Sequence, residues 1–370
     1  MVFSSGTESR TEVEMEGGRL RGKGTYGCVF QPQLECRGKK GRKSKSDVGK
    51  ITSIEDGRNE LAIAGYLHKV PSFDKYVVIP DAESCRPRAR SRQTDTDIEH
   101  CDFVKDLPLE KTIQITMPWG GVPLSQINLH PNQFNFFRFM EELLAIGTFL
   151  IVNDVCHMDL WGQNILFTKD NTPRLIDFGF AFQPSKLKLA DLKTRWRVVD
   201  TTHDTETPEV TLMLGAFSGV QASSLIQQLQ ESKPAVQRLA ALCGVLPSDW
   251  AAQIRQWSED SKSFQQGEWL SCWKLYWPGF DAWAIGAVLL NILEVQMKFH
   301  EFVNSEEWKA RGPTVQMVIR GLCRGHPAYR IDAAEALDIF TKGEHPLISA
   351  YAGSSGSEWI FEKVQQRRLL

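Results

Sequence analysis

The sequence predicts an α+β fold in which a small strand-rich amino-terminal part precedes a larger, mainly helical part. Three observations predict it. Short β-favouring runs separated by glycine-rich turns dominate up to residue 118. From His130 onward long apolar segments with helical periodicity take over. The chain of 370 residues is 42% apolar and 24% charged, which sets it apart from disordered sequences and supplies a sizeable core.

With 43 basic and 45 acidic side chains the net charge is -2, which excludes a surface given over wholly to nucleic acid or anionic lipid and leaves room for local patches. The amino terminus, MVFSSGTESRTEVEMEGG, lacks the apolar run of a signal peptide. The longest apolar stretches, 149–152 and 282–293, fall short of the ~20 residues that cross a bilayer. An intracellular, cytoplasmic protein without a membrane span is therefore expected. Eight cysteines lie at long intervals with no C-x-x-C, so reduced thiols are expected rather than zinc or a disulfide framework.

Residues 1–17 read as a tail. Gly18 to Val29 has the pattern strand, glycine-rich turn, strand, with Gly22, Gly24 and Gly27 in the turn region. RGKKGRKSK, residues 37–45, carries six cations and reads as an exposed loop, with contact to an acidic partner or nucleic acid as the alternative. Residues 47–51 form a short strand, and 59–70 a helix with one apolar face. Residues 77–80 suggest another strand, and the polar stretch 81–105 an excursion. Strand character resumes at Ile113 to Met117 and ends in PWGG, where a connection between two parts can lie. Gln133 to Asn153 predicts a long helix. Between 210 and 275 further helices are expected around 225–242 and 250–257, the latter capped by Ser248 or Asp249. Six of the eleven tryptophans fall between 250 and 283, too much aromatic surface for an unfolded linker.

Gly22-Lys23-Gly24-Thr25-Tyr26-Gly27-Cys28-Val29 matches G-x-G-x-x-G-x-V. Three glycines also make an ordinary hairpin. Where such a loop holds phosphate, glycine lets backbone N–H groups approach the oxygens with no Cβ in the way. A dinucleotide fold would continue from these glycines into a helix; here they lead back into a strand. A second group runs from His157-Met158-Asp159 to Asn164 and on to Asp177-Phe178-Gly179. An Asp and an Asn five apart, with a further Asp thirteen residues on, supply one base and two oxygen ligands for a hard cation. As turn formers these residues would need no chemistry, but the upstream glycine loop favours the chemical reading.

Together these motifs resemble the eukaryotic-type protein kinases over residues 18–345, with insertions. GKGTYGCVF, the V-G-K around Lys50 and H-M-D are similar in style to divergent serine/threonine kinases of large DNA viruses, which would place the chain in a host cytoplasm. The resemblance implies a bilobal protein kinase-like fold: a tail at 1–17, a β-rich N-lobe at 18–119, and a helical C-lobe at 120–370 with an insertion at 211–275. It implies that Gly22, Lys23, Gly24, Thr25, Tyr26, Gly27 and Val29 cover the phosphates of ATP, and that Met117 and Trp119 bind the nucleotide from the connection. Lys50 matches the V-A-I-K lysine, with Lys45 as a rival lacking apolar neighbours; Glu60 would hold it, with Glu55 as the rival. Asp159 matches the catalytic base. Asn164 and Asp177 match the ligands of magnesium, with manganese as an alternative. His157 and Phe178 would pack rather than react. Downstream, Thr207-Pro208-Glu209, Asp281-Ala282-Trp283 and Arg330 match the framework of kinases with protein substrates, with Glu209 and Arg330 as a buried pair. Thr202, before Glu209, fits transfer to serine or threonine.

Two positions depart from the pattern. Met158 replaces the arginine that clamps a phosphorylated activation loop, so activity should not depend strongly on loop phosphorylation, although the loop from Asp177 to Glu209 still offers Ser185, Thr194, Thr201, Thr202 and Thr205. Trp161 stands where a lysine is usual, and an indole brings no charge to the transferring phosphate. A nucleotide-binding pseudokinase scaffold is thus the alternative reading. Cys85, His100 and Cys101 lack a fourth partner at zinc-finger spacing, and GRKS at 41–44 lacks the glycine before the lysine of a P-loop. The insertion at 211–275 suits either substrate docking or structural elaboration.

Overall fold

Alternating inward and outward side chains build the first sheet. On the strand Gly27–Gln31, Cys28 and Phe30 are buried while Val29 and Gln31 are only partly so, the period of a strand with one face on a core. The computed structural model describes residues 18–24, 26–38, 47–81, 83–93, 96–168, 170–193 and 195–352. The expected tail, Thr25, Lys45 with nearly all of the basic loop, and Thr194 lie outside them. The described residues fall into two compact units, one within 1–61 and 80–119, the other within 62–79 and 120–370.

The first unit is a five-stranded antiparallel sheet of β1 (Arg19–Gly24), β2 (Gly27–Gln31), β3 (Asp47–Ser53), β4 (Ser84–Cys85) and β5 (Thr112–Pro118), in the order β1-β2-β3-β5-β4. Between β3 and β4 runs helix α1 (Ile54–Leu67), and before β5 a single helical turn, α2 (Phe103–Asp106). Ser53 caps α1: its Oγ accepts the Asp56 N–H at 3.0 Å and donates to Asp56 Oδ2 at 2.7 Å. That cap starts the helix five residues before the expected Asn59, so Glu55 lies within it. Gly57 lets α1 approach β5, since a Cβ there would come within 2.5 Å of Ile113 Cγ2. The polar excursion is less irregular than the sequence suggests, because β4 pairs Ser84 with Ile115 and Cys85 with Gln114.

The expectation of uniformly reduced thiols is corrected here. Cys28 on β2 is bonded to Cys101, and Cys36 to Cys85. Sequence separations of 73 and 49 hid both pairs; the sheet brings their Cα atoms to 6.1 and 5.8 Å, within disulfide reach. Cys156, Cys243, Cys272 and Cys323 are free and buried.

The second unit begins with a three-stranded sheet, β6 (Val122–Pro123), β7 (Ile165–Phe167) and β8 (Pro173–Leu175), and is otherwise helical. Residues 77–80 are not a sheet strand: Val77 makes only an isolated parallel bridge to Leu175. The helices are α3 (Phe136–Val152), α4 (Leu189–Leu192), α5 (Pro208–Phe217), α6 (Ala222–Ser232), α7 (Pro234–Cys243), α8 (Pro247–Asp260), α9 (Lys262–Gln265), α10 (Trp269–Tyr276), α11 (Pro278–Gln296), α12 (His300–Val303), α13 (Glu306–Leu322), α14 (Ala333–Thr341) and α15 (Pro346–Ala352). Asn135 caps α3 by accepting the Arg138 N–H at 2.9 Å. The expected cap at Ser248 or Asp249 falls inside α8, because Pro247, with its fixed φ and no N–H to satisfy, takes the first helical position.

At the centre α3, α11 and α14 meet closely. Gly147 makes this contact possible: a Cβ there would lie 2.5 Å from Ile285 Cδ1 and 2.6 Å from Ala333 Cβ. Helix α11 is long and apolar enough to cross a bilayer, which the shorter apolar run seen in the sequence did not suggest; 83% of that stretch is buried within the fold, as in a core helix.

Candidate active site

The glycine loop spans the β1–β2 turn, with Gly24 facing Gly27 across the hairpin. Its glycines serve different ends. At Gly27 a Cβ would lie 2.1 Å from the Ile51 carbonyl oxygen, so packing against β3 alone demands glycine. At Gly24 nothing lies within 4 Å of the missing Cβ, and at Gly22 only Val29 does, at 4.0 Å. Packing does not explain these two, and open backbone there suits an approaching anion. Lys23 is exposed and pairs with Asp102 at 3.4 Å, while the Lys105 hydrogen bond and then Lys23 hold the Asp102 carboxyl below its usual range. Tyr26 is exposed, and its carbonyl accepts the Thr52 hydroxyl at 2.8 Å.

Lys50 lies on β3, paired with Val29 on one side and Ile115 on the other, and is buried. Its Nζ donates to Glu60 Oε2 at 2.8 Å, so the sheet and α1 orient an ammonium that four methylenes would leave free. Met117 pairs with Val48 and is buried with it and Ile115. Trp119 is exposed, with the Arg21 guanidinium 5.9 Å from its ring centroid.

In the second unit the loop after α3 carries Asp159 and Asn164. The Asn164 amide donates to the Asp159 carbonyl at 2.8 Å and to Asp159 Oδ2 at 2.9 Å, which turns the amide oxygen of Asn164 away from the carboxylate. The Ile176 N–H donates to the Asn164 carbonyl at 2.9 Å, tying this loop to the residue before Asp177. Burial raises the Asp159 carboxyl above the ordinary range, and the neighbouring Asp177 charge adds to the shift. Asp177 is left-handed, with φ 66°, and its Oδ1 accepts the Gly179 N–H at 3.3 Å. A non-glycine residue held in that region costs roughly 1–3 kcal/mol and marks a position fixed by its surroundings. One amide oxygen and one carboxylate form the oxygen donor set that magnesium prefers, so the residues fit that ion.

His157 is buried, its ring 4.8 Å from that of Phe178 in a T-shaped contact. Its Nδ1 accepts the Asp159 N–H at 3.2 Å, which leaves Nε2 to donate to the Ile176 carbonyl at 2.9 Å. Beneath it lies a residue whose role the sequence did not reveal. Asp281, at the start of α11, accepts the backbone N–H groups of His157 at 2.6 Å and Met158 at 2.9 Å. The D-x-W spacing marked Asp281 without indicating its partners. Glu209 and Arg330 pair as expected, at 2.6 and 2.9 Å through the two terminal guanidinium nitrogens, with both side chains fully buried. Cys85 and Cys101, weighed as metal ligands, are committed to disulfides.

Trp161 is 43% exposed. With Leu124, Gln163, His203, Asp204 and Ile292 it lines a cleft of about 560 Å³.

A small antiparallel sheet unit and a mostly helical unit are compatible with a protein kinase-like fold. No family model matches the chain. Cyclin-dependent kinase 4 of Xenopus laevis is 27% identical to it over 167 residues, 43% of this chain and 46% of the relative. The chain thus spans less than half of the relative's length (46%), and the similarity suggests a relationship to protein kinases in general.

Proposed function

We propose that the chain is a protein kinase, transferring the γ-phosphoryl group of ATP to a serine or threonine hydroxyl of a protein, with magnesium or manganese. The arrangement of Asp159, Asn164 and Asp177 carries this reading. A half-buried carboxylate whose pKa is raised suits a proton acceptor, and the Asn164 bond to its Oδ2 orients the group. Bound magnesium would supply charge neutralisation at the phosphates, and Asn164 and Asp177 would hold it. In the first unit, Lys50 braced by Glu60 would pair with phosphate, and the open backbone at Gly22 and Gly24 would cover it. Protein substrates are supported by the 27% identity to a protein kinase and by the cleft beside Trp161. A likeness to kinases of large DNA viruses remains a proposal from the motif style alone.

The test is incubation of the purified chain with Mg-ATP and a generic basic protein, followed by phosphoresidue mapping. Phosphoserine or phosphothreonine is expected, reduced by about 10²–10⁴-fold in Asp159→Asn, the usual contribution of a general base. Transfer that survives Asp159→Asn would remove the reading. Nucleotide binding without any transfer would favour the pseudokinase scaffold, which the uncharged Trp161 supports.

A further inference from the structure

The segment before Glu209 is fastened from an unexpected direction. Helices α6 and α7 meet at Ser232 and Lys233, and their junction lies against residues 201–204. The Thr201 and Ser232 hydroxyls are 3.2 Å apart. Lys233 is fully buried, and its Nζ donates to the His203 carbonyl at 2.7 Å while lying 5.6 Å from the Trp283 ring centroid. One turn along α7, Arg238 bridges the segment to α11, donating to Asp204 Oδ2 at 2.7 Å and to Glu294 Oε2 at 2.9 Å. From the other side the Trp283 Nε1–H meets the Asp204 carbonyl at 3.0 Å.

The segment's own polar groups complete the arrangement. Thr202 bonds to Asp200 Oδ1 through both its N–H, at 2.8 Å, and its hydroxyl, at 2.6 Å. Glu206 takes Arg197 at 2.7 Å and the Thr211 hydroxyl at 2.8 Å. Interior lysines are rare because burying an ammonium is costly unless its hydrogen bonds are met. Lys233 offsets part of that cost with a backbone carbonyl of the segment, which makes the contact specific to one placement of residues 200–206.

We propose that the inserted helices hold residues 200–206 in place through Lys233 and Arg238, as positioning residues that keep the wall of the cleft beside Trp161 formed without phosphorylation of the segment. This rests on the kinase reading above. His203 and Asp204 line the cleft, so releasing them opens the side on which a protein substrate would lie and leaves the nucleotide-binding residues of the first unit untouched.

The experiment compares wild type with Lys233→Met, which keeps an apolar stem in the buried site, and with Arg238→Met, at a partly exposed position where folding is less at risk. Hydrogen exchange at residues 200–206 and steady-state kinetics are read together. Exchange there should quicken about 10- to 100-fold, matching the loss of one charge-assisted hydrogen bond. The KM for the protein substrate should rise while that for ATP stays constant, and phosphatase treatment of wild type should leave its activity intact. Unchanged exchange and unchanged KM in both variants would overturn the proposal, as would loss of wild-type activity on phosphatase treatment. Should wild type transfer no phosphoryl group, the kinase reading fails, while exchange still decides whether the helices hold the segment.

Discussion

Asp281 holds Met158 in a left-handed backbone conformation, accepting its N–H at 2.9 Å while Met158 keeps φ at 65°. The same carboxylate takes the His157 N–H at 2.6 Å, so one side chain of α11 fixes the backbone leading into Asp159. The Met158 side chain, partly buried, packs against the core of the second unit.

Asp281→Ala removes the acceptor from two donors in a buried setting. A loss of roughly 2–6 kcal/mol is expected, at about 1–3 for each orphaned donor. Urea denaturation measures it, and a loss within ±0.5 kcal/mol, usual for surface substitutions, would show that water replaces the carboxylate.

Glu209 and Arg330 should behave as a coupled pair. Each single alanine variant leaves an unpaired charge in the core and should cost about 3–5 kcal/mol, whereas the double variant should cost much less than the sum. A double-mutant cycle in urea reads the coupling, and additive losses would contradict the bidentate pairing.

Two glycines of one loop should respond differently. Gly27→Ala places a methyl group against the Ile51 carbonyl and should lower the melting temperature. Gly24→Ala meets nothing and should leave melting unchanged while raising the KM for ATP by about tenfold, which corresponds to about 1.4 kcal/mol of binding. Equal melting temperatures for the two variants would refute the distinction.

Burial pushes the Lys233 ammonium down from 10.5 to about 8, against the opposing pull of Glu206, Asp204, Asp200 and Glu209. Between pH 8 and 10.5 the unfolded chain keeps a proton that the folded chain has released. The stability that Lys233 confers therefore rises with pH across that window. Urea titrations should show wild type gaining on Lys233→Met from pH 8 to 10.5, and a constant difference would mean that the lysine titrates as though exposed.

Thiol counting under denaturing, non-reducing conditions should find the four free cysteines 156, 243, 272 and 323. After reduction all eight should react. Eight without reductant would indicate that the protein was made and kept in a thiol-reducing compartment, where such bonds rarely persist.

What the sequence revealed depended on whether a residue's partner lay in a recognisable pattern. Glu209 and Arg330 each sit in a motif with a fixed place, so their meeting was legible although 121 positions separate them. The contact between Asp159 and Asn164 was legible from their spacing in the same way. Lys233 was not: in the run Ser232-Lys233-Pro234 it looks like any solvated lysine, and only the packing of α6 and α7 shows it buried. The disulfides escaped for a related reason, since cysteines carry no periodicity and the sheet register decides which of them approach. Residues 77–80 misled because β-branched side chains promise a strand, whereas the run meets the edge of β8 at a single parallel bridge, Val77 to Leu175, and ends at Pro80, which has no N–H to extend a ladder.

Helix α11 takes its lateral support from both earlier and later parts of the chain: α3 and α7 precede it, while α13 and α14 follow. A nascent polypeptide that has emerged only to Gln296 therefore carries a finished greasy cylinder with half its cradle still unmade. Synthesis from Glu306 to Thr341 closes that gap. Premature termination in this interval would yield a product prone to chaperone capture or clumping, even though Asp159, Asn164 and Asp177 had already been translated.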